Sequence, residues 1–258
     1  MKILCVGDVV GRIGREYLIK NLSQIKKENK IDAVIVNGEN SCSANGVSVN
    51  SANDIFTSGA DCITTGNHTF KRKEIYQYLE ENHNIIRPYN WGGVAPGKGF
   101  CVIDLGRIKI GVVNLIGTVY MEWAKSPFEY LDLAVEYLKK QEHCKIIIVD
   151  FHAEATSEKG ALAYYADGKV SAIFGTHTHV QTADEQILPN GTAFITDLGM
   201  TGPICSILGV KPEIIVEKYK TAMPQRFENG EGQCVLCGAI ITIDETSGKA
   251  QNIERIRI

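Results

Sequence analysis

Short apolar runs recur along the chain, separated by amphipathic or polar segments. Continuous apolar runs of this length predict buried strands, here at residues 2–6, 33–36, 61–65, 145–149 and 170–174. Between them, apolar residues return at helical spacing, as at Leu18, Leu22 and Ile25, and predict helices. The stretch 41–53 is rich in Ser, Asn and Gly and predicts a loop. This alternation is typical of β-α-β units.

Other apolar runs come in pairs joined by turn residues and predict hairpins, at 100–105 with 108–115, at 187–195, and at 235–243 with 250–258. Hairpins are antiparallel whereas β-α-β units are parallel. The expected fold class is therefore α/β, with a mixed sheet or two packed mixed β-sheets flanked by helices. Because no repeat, low-complexity stretch or linker divides the sequence, we expect a single domain over residues 1–258.

The composition, with 44% hydrophobic and 22% charged residues, is ordinary for a soluble globular protein. A formal net charge of −3 offers no basic surface for duplex DNA or an anionic membrane, and no apolar segment is long enough to span a bilayer. The eight cysteines are scattered, several in strand-like runs, which favours a reducing compartment over a disulfide framework. We expect a cytoplasmic protein with no duplex-DNA or membrane partner.

Residues able to bind metals follow the predicted strands, at Asp8, Glu39, Asn40, Asn67, His68, His152, His177 and His179. The carboxyl ends of strands in an open α/β sheet line one crevice, so these distant residues are expected to converge. In extended backbone His177 and His179 would point to the same side, and a core has little use for two neighbouring imidazoles. Each residue alone has an ordinary explanation as a cap or a loop residue. Together they predict a metal site with ligands for two ions and a spare imidazole.

Two other interpretations carry less weight. Gly7, Gly11 and Gly14 follow the first strand, but their spacing is not G-x-G-x-x-G and Asp8 would repel a pyrophosphate, so a dehydrogenase is a weak alternative. Metal-dependent amidohydrolases also use an H-x-H pair, at the end of their first barrel strand. Here the pair comes late, and hairpins interrupt an eightfold β/α repeat.

Five motifs together resemble the calcineurin-like metallophosphoesterases, and more closely the bacterial YmdB-like branch of that superfamily. They are Gly7-Asp8-Val9-Val10-Gly11-Arg12, Asn37-Gly38-Glu39-Asn40, Thr65-Gly66-Asn67-His68, Asp150-Phe151-His152 and Gly175-Thr176-His177-Thr178-His179. Residues 196–203 and Arg226-Phe227 extend the likeness. Val10 stands where the wider superfamily has a histidine and Glu39 where it has a bridging aspartate. Both departures are shared with the YmdB-like branch.

The resemblance implies a four-layer α/β/β/α sandwich and two metal ions per chain. Iron is expected, with manganese, zinc and magnesium as alternatives. One ion would be held by Asp8, Glu39, Asn40 and His179, and the other by Glu39, Asn67, His152 and His177. Glu39 would then bridge the two ions. His68 would stay unligated near the substrate as the catalytic residue.

The implied function is hydrolysis of small phosphodiesters by in-line attack of a metal-bridging hydroxide. The substrates would be 2′,3′-cyclic nucleotides or RNA-derived cyclic phosphates, with 3′,5′-cyclic nucleotides as a further class. Arg226, Thr201 and Gly202 are expected to contact the substrate, and a homo-oligomer is expected. The alternative function is a metal- or nucleotide-binding regulatory protein with incidental hydrolysis.

Overall fold

The computed structural model describes residues 1–42 and 45–258, and positions 43 and 44 of the predicted loop lie outside them. The strands are β1 Lys2–Val6, β2 Asp8–Val9, β3 Ala33–Asn37, β4 Cys62–Thr64, β5 Phe100–Asp104, β6 Lys109–Ile116, β7 Ile146–His152, β8 Ala172–Thr176, β9 Gln186–Ile187, β10 Ala193–Ile195, β11 Met200–Pro203, β12 Cys234–Ile243 and β13 Ala250–Arg257. The α-helices are α1 Gly11–Asn29, α2 Val49–Thr57, α3 Ile75–Glu81, α4 Pro127–Lys140, α5 Thr156–Ala166 and α6 Pro212–Thr221. None of them, within the described ranges, is long and apolar enough to cross a membrane.

The strands form two sheets. The first has the order β2-β11-β12-β1-β3-β4, with β13 paired to β12, and the second has the order β5-β6-β7-β8-β10-β9. In the first sheet β1, β3 and β4 are parallel, while β12 runs antiparallel to β1. In the second, β6, β7, β8 and β10 are parallel, with antiparallel edge strands β5 and β9. Both sheets are mixed, and the predicted hairpins β5–β6, β9–β10 and β12–β13 are confirmed.

Buried apolar residues fill three layers between and outside the sheets. Ile35 of the first sheet and Ile148 and Phe174 of the second lie in the core between them. Helices α1 to α3 cover the outer face of the first sheet, where Leu18 and Leu22 are fully buried, as their spacing predicts. Helices α4 and α5 cover the outer face of the second sheet. The four-layer α/β/β/α sandwich is confirmed.

The predicted loop at 41–53 is too long at its C-terminal end, because α2 already begins at Val49. Ser48 and Ser51 form a reciprocal cap: the Ser51 N–H donates to Ser48 Oγ at 3.1 Å, and the Ser48 N–H donates to Ser51 Oγ at 2.9 Å. Inside a helix, a serine side chain competes for the backbone hydrogen bonds and disfavours helix, but at the N-cap position it stabilises the helix start. The small polar residues that predicted a loop therefore include the cap at which α2 begins.

The glycines after the first strand serve close packing. A Cβ on Gly7 would lie 2.1 Å from the carbonyl oxygen of Gly199, and one on Gly14 would lie 2.3 Å from that of Thr201. Both contacts are far below van der Waals distance, so only glycine allows the first strand and α1 to approach this part of the first sheet. Close packing therefore accounts for Gly7 and Gly14, and no dinucleotide-binding role is needed to explain them.

Candidate metal centre

The carboxyl ends of strands from both sheets meet at one edge of the sandwich. The first sheet brings Asp8, Glu39, Asn40 and Asn67, and the second brings His152, His177 and His179. The side chains of Asp8, Glu39 and His152 have no exposed surface, and Asn40 is 5% exposed. Buried ionisable groups are strongly disfavoured unless opposite charge or hydrogen bonds compensate them. The buried carboxylates of Asp8 and Glu39 therefore need a positive charge beside them at this edge of the fold.

Asn67, His152 and His177 with Glu39 form what we call the His152 group. The Nε2 atom of His152 lies 3.0 Å from Asn67 Oδ1, 3.1 Å from Glu39 Oε1 and 3.0 Å from His177 Nδ1. One ring nitrogen carries at most one proton and cannot satisfy three acceptors. Ligand atoms at right angles around an ion about 2.1 Å away are themselves about 3 Å apart. These distances fit a cation: Glu39, His152 and His177 offer ligand atoms all within 4.8 Å of one another.

Asp8, Asn40 and His179 with Glu39 form the His179 group. The Nδ2 atom of Asn40 lies 3.3 Å from Asp8 Oδ1, 3.2 Å from Glu39 Oε1 and 3.1 Å from His179 Nε2. The amide has two N–H donors for these three acceptors. Amide nitrogen and oxygen exchange places by a half-turn of the side chain. If the amide oxygen of Asn40 is turned inward, it joins the acceptor atoms of Asp8, Glu39 and His179. Four acceptors then face one point, an arrangement that again fits a cation.

Glu39 belongs to both groups through a single oxygen. Its Oε1 atom faces Asn40 in the His179 group and His152 in the His152 group. Its Oε2 atom accepts the backbone N–H of His68 at 3.0 Å. The hydrogen bond to Oε2 orients the carboxylate, so that Oε1 is placed between the groups as a bridging ligand would be.

The backbone around His177 and His179 is not extended, so the expectation that both rings share one face of a strand is wrong. Strand β8 ends at Thr176, and φ is +100° at His177 and +63° at His179. Asp8 Oδ2 accepts the His177 N–H at 3.0 Å, and Asp197 Oδ2 accepts the Thr178 N–H at 3.1 Å. These bonds hold a left-handed turn that L-residues rarely adopt. The turn sends one imidazole to each group.

Hydrogen bonds behind the groups fix which histidine nitrogens face inward. Thr176 donates its hydroxyl proton to Asp150 Oδ1 at 2.7 Å, so it must accept the Nδ1–H of His152 at 2.9 Å. The Nδ1–H of His179 donates to the carbonyl oxygen of Leu208 at 3.0 Å. Both rings thus present an Nε2 lone pair to their group, as metal-binding histidines do. Sequence reasoning missed Asp150 and Thr176, although an acid directly after the apolar run 145–149 was a signal for Asp150.

Asp197 and Lys159 form a buried ion pair beneath the His177–His179 turn. Their side chains are each 1% exposed, and Lys159 Nζ lies 2.7 Å from Asp197 Oδ2. Asp197 also accepts the backbone N–H of Gly199 at 2.8 Å. Burial raises the pKa of Asp197, and the Lys159 ammonium opposes that rise. The carboxylate that holds Thr178 therefore depends on Lys159 for its charge.

Replacing Lys159 with methionine is expected to lower the free energy of unfolding by about 3–5 kcal/mol, because it leaves Asp197 buried without a counter-charge. Urea denaturation of metal-free protein measures the change. The double substitution Lys159→Met with Asp197→Asn should recover much of the loss, since neither of these two positions then carries a buried charge. Lys169→Met is the matched control, because Lys169 pairs with Asp132 at the surface at 2.8 Å and should lose about 1 kcal/mol or less. Equal losses for the two lysines would contradict the expectation.

His68 lies between solvent and the His152 and His179 groups, which we together call the metal groups. Its Nδ1 atom is 3.1 Å from Asn40 Oδ1 and 3.4 Å from Glu39 Oε1, and its side chain is 22% exposed. Burial lowers the pKa of His68, against the opposing charge of Glu39, so the ring is neutral near neutral pH. It lines a cavity of about 350 Å³ together with apolar side chains of Leu208, Tyr219 and Phe227. His68 is therefore a titratable group beside the metal groups and open to a ligand.

The structure does not bring Thr201, Gly202 and Arg226 to this cavity. Thr201 is fully buried in β11 and Gly202 is buried beside it. Arg226 is exposed and lines a different cavity, against Arg12 and Glu16 of α1. Its neighbour Phe227 lines the cavity at the metal groups instead. As substrate contacts, these three residues stay predictions from the family resemblance.

Comparisons with known proteins run over nearly the whole chain. The protein-family model described as "YmdB-like protein" matches residues 4–256. The 2′,3′-cyclic-nucleotide 2′-phosphodiesterase of Bacillus subtilis (strain 168) is 44% identical over 259 residues, covering 100% of this chain and 97% of that protein. A crystal structure titled as a novel phosphatase from Mycoplasma pneumoniae has a TM-score of 0.93 at 37% identity, covering 100% of this chain and 93% of that one. The crystal structure of a hypothetical protein from Thermus thermophilus has a TM-score of 0.93 at 35% identity, with 100% and 99% covered.

Proposed function

The chain belongs to the YmdB-like family, and from this membership and the buried ligand groups we propose that it is a dinuclear metal-dependent phosphodiesterase. Small cyclic phosphodiesters are its substrates, with 2′,3′-cyclic nucleotides first and 3′,5′-cyclic nucleotides as a second class. The observation that carries the proposal is that Glu39 Oε1 is shared by the His152 group and the His179 group. The name of the Bacillus subtilis relative supports the substrate class.

Each group would hold one cation. The mixture of imidazole nitrogen with carboxylate and amide oxygen suits iron, manganese or zinc better than magnesium, and we propose iron. When bound, two such ions lower the pKa of a water molecule and neutralise charge on the phosphate oxygens. Asp8 and Glu39 supply negative charge that offsets the ions. The Nδ1–H groups of His152 and His179 are engaged in hydrogen bonds, so Nε2 of each ring faces its group, where a bound ion would take the place of a second ring proton.

His68 is suited to protonate the leaving oxygen of the substrate. If the oxygen of Asn40 faces Asp8, the amide atom 3.1 Å from His68 Nδ1 is the nitrogen, and it donates to that ring atom. The proton of the neutral imidazole then lies on Nε2, where it is available to a ligand. Proton transfer uses the imidazolium form of the ring, which gives its Nε2 proton to the leaving oxygen and is left neutral.

The size of the cavity favours a small substrate. Its volume of about 350 Å³ is at the lower end of the range for small-molecule sites, and apolar side chains of α6 and the neighbouring loops close one side. The cyclic phosphate and sugar of a nucleotide or of an RNA end fit such a space, whereas a duplex does not.

Purified protein should contain bound transition metal and should hydrolyse 2′,3′-cyclic nucleotides to monophosphates. Elemental analysis gives the metal content, and parallel assays compare 2′,3′-cyclic, 3′,5′-cyclic and linear phosphodiesters. Removing the metal with a chelator is expected to abolish turnover, and adding back iron or manganese should restore it. Protein that contains no transition metal and hydrolyses none of these compounds would refute the proposal.

A further inference from the structure

A second cavity, of about 400 Å³, adjoins the metal centre on the other side of His68. Asn67 and His68 form the wall that it shares with the metal centre. Its remaining surface is largely aromatic, from Phe70, Trp91, Tyr120 and Trp123. Lys71 and Glu122 supply polar groups to the same lining. The cavity is therefore largely aromatic and lies directly beside the proposed catalytic residue.

Two of these rings are exposed in a way that the fold does not explain. The side chains of Tyr120 and Trp123 are 90% and 71% exposed. Both residues have left-handed backbone, with φ of +60° and +65°, a conformation that is strained for aromatic residues. Large aromatic residues are usually found at least partly buried, and strained backbone collects at ligand sites. Their arrangement points to a ligand rather than to packing.

The loop that carries the rings is held in place by hydrogen bonds. The carboxylate of Glu158 accepts the backbone N–H of Thr118 at 2.7 Å and that of Val119 at 3.3 Å. The carbonyl oxygen of Trp123 accepts the N–H of Gly92 at 2.6 Å. The loop is thereby joined both to the first turn of α5 and to the segment beside Trp91. A loop fixed at both ends presents its rings with little loss of entropy on binding.

The floor of the cavity is formed by a pair of packed rings. Phe70 and Trp91 meet edge to face, with centroids 5.0 Å apart and planes at 73°. Phe70 packs on its other side against Tyr76, at 5.6 Å. Both Phe70 and Trp91 are half-buried, so part of each remains available to a ligand. Flat aromatic surfaces of this kind bind the faces of other π systems.

We infer that this cavity is a nucleobase subsite, in which the base of the nucleotide substrate stacks on Trp91, Tyr120 and Trp123. The inference rests on the proposed function, because it assigns a place to the base of a phosphodiester bound at the metal centre. Stacking accepts any base, while Lys71 and Glu122 at the rim offer a donor and an acceptor for base edges. The subsite would thus prefer nucleotides over phosphodiesters that lack a base, with modest discrimination among bases.

Binding can be measured without catalysis. The chain has two tryptophans, Trp91 and Trp123, and both line this cavity. Titration with adenosine 3′-phosphate is expected to quench tryptophan fluorescence, whereas inorganic phosphate should not. Trp91→Phe and Trp123→Phe assign the signal to each ring. Absence of quenching at saturating nucleotide would overturn the subsite, whether or not the protein hydrolyses phosphodiesters.

Kinetics supply the second measurement. Trp123→Ala is expected to raise KM for adenosine 2′,3′-cyclic phosphate about tenfold with kcat nearly unchanged. It should leave KM for the 2,3-cyclic phosphate of methyl riboside, which has no base, unaltered. Tyr164→Ala is the matched control, since Tyr164 is an aromatic residue on α5, 63% exposed, outside both cavities, and should change neither constant.

The outcomes separate this inference from the proposed function. Equal KM for the two cyclic phosphates in the unmodified protein, or no change in Trp123→Ala, would overturn the subsite and leave the phosphodiesterase intact. Hydrolysis of neither compound would instead contradict the proposed function, and the fluorescence titration would still decide whether the base binds.

Discussion

Replacing His68 with alanine is expected to lower kcat by about 10²–10⁴-fold while the protein keeps its full metal content. In the proposed function the imidazole protonates the leaving oxygen and is a ligand in neither metal group. The backbone N–H of His68, which holds Glu39 Oε2 at 3.0 Å, remains in the variant. Steady-state kinetics and elemental analysis on the same preparation measure both quantities.

The control for this substitution is His83→Ala. His83 is an exposed histidine on the segment after α3 and should affect neither kcat nor metal content. If His68→Ala loses metal in proportion to activity, the imidazole belongs among the ligands and the assignment of a proton donor is wrong.

Replacing Glu39 with glutamine is expected to remove activity to the limit of detection and to reduce bound metal in both groups. The Oε1 atom lies 3.2 Å from Asn40 in one group and 3.1 Å from His152 in the other. A neutral amide at this position cannot offset two cations, and one carbonyl oxygen bridges them poorly. Elemental analysis against protein concentration measures the stoichiometry.

Glu136→Gln is the matched control for Glu39→Gln. Glu136 lies on α4 away from the metal groups, is 59% exposed and pairs with Lys140 at the surface at 2.7 Å. This variant should keep its metal and most of its activity. A Glu39→Gln protein with unchanged metal content would show that the carboxylate does not bridge.

The convergence of the metal groups could be predicted because it depends on a general property of sheets. Asp8, Asn67 and His152 are far apart in sequence, but each lies at the end of a predicted strand. Parallel strand ends meet at one edge, so identifying the strands was enough to bring the residues together. The four-layer fold followed from the family resemblance and agreed with the hairpins.

The local geometry could not be predicted in the same way. His177 and His179 carry no glycine signal for a left-handed turn, because the turn is imposed from outside by Asp8 and Asp197. Asp197 in turn depends on Lys159, 38 residues earlier. Tertiary contacts of this kind override local preference and leave little trace in a single sequence. Arg226, which was expected to contact the substrate, lines another cavity.

Each metal group takes its side chains from both sheets of the sandwich. A cation bound in either group is therefore a cross-link between the two layers, added to the hydrogen bonds and apolar contacts that already join them. The folded arrangement binds the ion and the unfolded chain does not hold it in the same way, so mass action adds the free energy of binding to that of folding. We therefore expect metal supply to affect how much of the chain stays folded as well as how fast it hydrolyses its substrate.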